Sequence, residues 1–65
     1  MYINKQLKDL IQEASKQKED TVTISFKDTT YLVVKIGSEE SQKRITEGNS
    51  ILEKFLDLGV LLCRK

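Results

Sequence analysis

The chain has 65 residues, room for one domain, and a domain this small buries only about 60% of the surface its unfolded form exposes. A deep reaction chamber would compete with the core for the same few apolar side chains, so a broad surface site is the default expectation. Its 11 Lys and Arg nearly balance 10 Asp and Glu, for a net charge of +1.

That balance holds along the chain. Residues 1–20 carry four charges of each sign, residues 21–37 two basic against one acidic, and residues 38–65 five of each. No block of like charge marks a nucleic-acid-binding arm, an acidic tail or a segment drawn to anionic lipid, so neither direct nucleic-acid binding nor membrane association is expected. The single cysteine, Cys63, has no partner for an internal disulfide and fits a reducing cytosol. Lys5, Lys8 and Asp9 interrupt the N-terminal apolar residues, and no apolar run reaches membrane length, so neither export nor insertion is expected.

Ile3, Leu7, Leu10, Ile11 and Ala14 recur at helical spacing and predict a first helix from about Asn4 to Lys18, with Asn4 as N-cap. At Thr21 the period changes to two. Val22, Ile24 and Phe26 alternate with Thr21, Thr23 and Ser25 in a predicted first strand. A turn over residues 27–30 leads to a second strand, Tyr31 to Ile36, expected to turn Leu32, Val34 and Ile36 inward and Tyr31, Val33 and Lys35 outward. Gly37 to Ser41 reads as a turn and Gln42 to Thr46 as a short third strand with Ile45 as its anchor. A second helix is predicted from Asn49 or Ser50 to Leu58, on the stripe Ile51, Leu52, Phe55 and Leu58; residues 60–65 follow as strand, tail or continued helix. The expected class is α+β: one small domain with an N-terminal helix, a two- to three-stranded antiparallel sheet and a C-terminal helix. Its expected core is Leu7, Leu10, Ile11, Val22, Ile24, Phe26, Leu32, Val34, Ile36, Ile51, Leu52 and Phe55.

No catalytic inventory is visible. Histidine is missing, which removes the commonest general base and metal ligand, and one cysteine cannot build a thiolate zinc site. Glycines at 37, 48 and 59 are too far apart to cradle a phosphate. The expectation is a protein without enzymatic activity, metal or cofactor. Cys63 reads as a packing residue near the C-terminus. The adjacent acids Glu19 with Asp20, and Glu39 with Glu40, read first as solvated loop residues and second as recognition groups for a basic partner. Tyr31, Val33 and Lys35, with the open strand edges of a small sheet, offer a route to a homodimer.

The segments Asp9-Leu10-Ile11, Asp20-Thr21-Val22-Thr23, Leu32-Val33-Val34-Lys35-Ile36 and Asn49-Ser50-Ile51-Leu52-Glu53-Lys54-Phe55-Leu56 resemble the small phage-encoded anti-CRISPR proteins that inhibit the RNA-guided nuclease of type II-A systems. The resemblance spans about fifty residues and implies a helix, a three-stranded antiparallel sheet and further helix in a DNA mimic. It implies that acids between the second and third strands, here Glu39 and Glu40, engage the basic residues that read the motif flanking the target, with Glu19 or Asp20 in support. The family's acidic C-terminal helix has no counterpart in Leu61-Leu62-Cys63-Arg64-Lys65. The expected function is therefore a protein-binding inhibitor of such a nuclease. The alternative is a phage or mobile-element accessory protein acting as a homodimeric interaction or regulatory module.

Overall fold

The computed structural model describes residues 3–48 and 50–64. Helix α1 (Lys5–Ser15) precedes the strands β1 (Thr21–Phe26) and β2 (Thr29–Lys35); helix α2 (Glu39–Glu47) leads to β3 (Ile51–Phe55) and β4 (Val60–Arg64). The strands form one antiparallel sheet in the order β1-β2-β4-β3, so the protein has an α+β fold. Asn49, one of the two expected N-caps, and Lys65 lie outside the described residues.

Helix α1 begins as its sequence predicts. The Asn4 side chain accepts a hydrogen bond from the Leu7 N–H at 2.9 Å, satisfying one of the four donors a helix start leaves unpaired. It stops at Ser15 rather than Lys18, because its end tightens: the Lys16 and Gln17 N–H groups bond three residues back, to Glu13 and Ala14.

The β1–β2 hairpin closes through two residues, Lys27 and Asp28, both at positive φ (49° and 63°), the twist that matches paired antiparallel strands. Register then decides the faces. Phe26 pairs with Thr29, Ile24 with Tyr31 and Val22 with Val33, and directly opposed residues share a face. Tyr31 and Val33 consequently join Val22, Ile24 and Phe26 on the face under α1, and Leu32 and Val34 point to the other. The expected outward patch of Tyr31, Val33 and Lys35 is thus corrected, since any hairpin loop of even length opposes even to odd positions here.

The segment after Ser38 is a helix and not a third strand. Ser38 caps it by accepting from the Ser41 N–H at 3.2 Å, and Glu39 and Glu40 in the first turn complement the helix dipole. Gly48, at φ 75°, ends it in the left-handed conformation that glycine adopts without a Cβ penalty, its N–H reaching the Arg44 carbonyl at 2.8 Å.

The expected C-terminal helix is β3. Its apolar spacing suits a helix, but β4 decides otherwise. Val60, Leu61, Leu62 and Cys63 are all buried, a continuous apolar run that needs covering on both faces and a strand on both edges. β2 supplies one neighbour and β3 the other. A bulge sets Leu52 and Glu53 opposite Leu62, between the Ile51–Cys63 and Phe55–Val60 pairs.

Two cores result. On one face Leu7, Ile11 and Ala14 of α1 meet Val33, Phe55, Val60 and Leu62, flanked by Val22, Ile24, Phe26, Tyr31 and Leu52. On the other, Val34, Leu61 and Cys63 are flanked by Leu32 and Ile51 and covered by α2. Leu10 and Ile36, expected in the core, are 38% and 41% exposed.

Candidate functional site: the acidic end of the sheet

Three connections meet at one end of the sheet: residues 16–20 between α1 and β1, residues 36–38 between β2 and α2, and residues 56–59 between β3 and β4. The backbone stitches them together. The Lys35 N–H donates to the Asp20 carbonyl at 2.8 Å and the Ile36 N–H to the Gly59 carbonyl at 2.9 Å. The Lys35 ammonium adds a hydrogen bond to the Gln17 carbonyl, tying β2 to the end of α1. Asp20 thus lies beside the strand end from which Ser38 and Glu39 follow.

This geometry places at one end of the sheet acids that stand some twenty positions apart in sequence, with exposed Lys16 and Lys18 in the same connection as Glu19 and Asp20. Glu19, Asp20 and Glu39 are all exposed there. Glu40 differs from its neighbour. It accepts from Arg44 Nε at 2.7 Å, one helical turn on, with both side chains largely shielded. Arg44 also donates to Ser50 Oγ at 3.1 Å, bracing α2 against the start of β3. The hydrogen bond that Arg44 donates to Glu40 is the main cause of a raised Arg44 pKa, against desolvation that lowers it. The expected pair of equivalent acids on a turn is therefore one exposed acid and one internal ion-pair partner at the start of a helix. Glu39 is free to meet a partner, and Glu40 is committed.

The sequence reading missed Ile36, Leu56 and Asp57, which belong to the same end. Leu56 is 79% exposed in the β3–β4 turn, where the Leu58 N–H bonds the Phe55 carbonyl and the Gly59 N–H the Leu56 carbonyl. The signal was present in Leu56-Asp57-Leu58-Gly59, a turn ending in glycine, but the helical spacing around it obscured the turn.

Cys63 is fully buried on the α2 face, the packing position expected of it, and burial raises its thiol pKa, opposed by nearby Arg44. Among the described residues no group of three His, Cys, Asp or Glu side chains is placed to hold a metal ion, and no helix is long and apolar enough to cross a membrane. The fold and this surface define a small α+β protein whose sheet carries a helix on each face and exposed acids at one end. No protein-family model matches the chain, and no curated protein or solved structure matches it.

Proposed function

We propose that this protein is a non-enzymatic binding module that engages a basic protein surface through the acidic end of its sheet. The observation that carries this reading is the placement of exposed Glu19, Asp20 and Glu39 at the end of the sheet where the Lys35 N–H bonds the Asp20 carbonyl. Acids held on hydrogen-bonded backbone bring little disorder to be lost on binding, and against Arg or Lys they form charge-assisted hydrogen bonds. Exposed Leu56 and Ile36 add apolar contact area beside them.

The likeness to type II-A anti-CRISPR proteins names one occupant, the basic site with which an RNA-guided nuclease reads the motif flanking its target. The fold supports a basic partner more directly than it supports that nuclease. Its acids come from a loop and a helix start instead of a turn between strands, and Ile51–Phe55 is a strand where the likeness implies helix. A second reading, a homodimeric interaction module of a phage or mobile element, is favoured by exposed Ile36, Ile45 and Leu56.

One set of samples tests these readings. The parent and an Asp20→Lys, Glu39→Lys variant are compared for capture of a guide-loaded type II-A nuclease and for slowing of its DNA cleavage. Capture by the parent, weakened about tenfold or more in the variant and by added salt, is the expected result. Circular dichroism confirms folding, with Glu39→Gln as the gentler change at a helix start. Capture unaffected by the substitutions sinks the acidic end as the contact. A parent that neither binds nor inhibits sinks the nuclease as partner. Light scattering of the free protein reports the second reading as a doubled mass that Leu56→Asp returns to monomer.

A further inference from the structure

We draw no further inference here: the strongest candidate, the exposed apolar pair Ile36 and Leu56 where the β2–α2 and β3–β4 connections meet, carries nothing beyond the surface already described because nothing in the structure shows what covers it.

Discussion

The two faces of the sheet are buried by opposite means. Under α1, apolar side chains from helix and strands interlock, with Ile11, Val33 and Leu62 almost wholly removed from solvent. Under α2, the strands supply all the buried apolar residues and the helix supplies none: Ser41 is its one buried residue, and Ile45 is 46% exposed. A polar helix can cover a core if its side-chain stems lie on apolar surface and its buried polar atoms are paired. Here they are. Ser41 Oγ donates to the Ser38 carbonyl at 2.7 Å and accepts from the Gly37 N–H at 3.0 Å, and among the described residues no buried side-chain N or O lacks a partner.

The sharpest way to break this comparison uses adjacent residues of β4. Leu62 faces α1 and Leu61 faces α2, both fully buried. Truncation of a buried leucine to alanine costs about 2 to 5 kcal/mol, a large part of the roughly 3 to 10 kcal/mol that stabilises a domain of this size. Leu62→Ala is expected near the upper end, because interlocked apolar neighbours from α1 and β3 cannot close the cavity. Leu61→Ala is expected near the lower end, since α2 rests on its strands with few apolar contacts to hold it away from the gap. Urea unfolding followed by circular dichroism measures both, and a greater loss at Leu61 would show that α2 packs as tightly as α1.

Next in size is Ser41→Ala. Alanine is the better helix former, so an exposed position would gain from this change. At Ser41 it instead removes two hydrogen bonds, one accepted from the Gly37 N–H and one donated to the Ser38 carbonyl, each contributing about 0.5 to 1.5 kcal/mol. A neutral or stabilising Ser41→Ala in the same unfolding assay would mean that this hydroxyl does not hold α2 to the end of β2.

The same contrast explains what was legible in the sequence. α1 announced itself through an apolar stripe and the cap Asn4, and β1 through strict alternation. α2 has no stripe, because it buries no large apolar residue; its only local signals were Ser38 before the acids and Gly48 after Glu47, and both also suit turns. β3 carried a helical spacing that lost to a non-local demand, the need of β4 for a second neighbour, which no local window contains. The acids at 19, 20 and 39 were visible as residue types. Their placement at one end depended on the register of the β1–β2 hairpin, and that information lies in pairing.

A smaller effect separates the faces by pH. Burial raises the Cys63 thiol pKa in the folded state, so the folded protein keeps this proton where the unfolded chain has released it. Stability linked to the group is complete below the unfolded value of about 8.5 and declines as pH rises through the folded value. Cys63→Ala lacks this decline. The stability difference between parent and variant should therefore shrink steadily above about pH 8.5, after the lysines and tyrosines common to both cancel. A difference independent of pH from 7 to 10 would show that the thiol is not shielded by α2.

The smallest expected effect is the coupling between Glu40 and Arg44. Glutamate four residues before arginine is the favourable order on a helix, and it also places the acid at the positive end of the α2 dipole. Exposed pairs of this spacing contribute about 0.3 to 0.5 kcal/mol, and the partial shielding of both side chains raises the expectation to somewhat under about 1 kcal/mol. Single substitutions overstate it, because Arg44→Gln also loses the hydrogen bond to Ser50. A cycle of Glu40→Gln, Arg44→Gln and the double variant removes that term and leaves the pair itself. The coupling should weaken between 0.05 and about 1 M salt, as screening shortens the reach of a partly exposed pair. A coupling indistinguishable from zero at low salt would mean that Glu40 is not committed to Arg44 and is as available to a basic partner as Glu39.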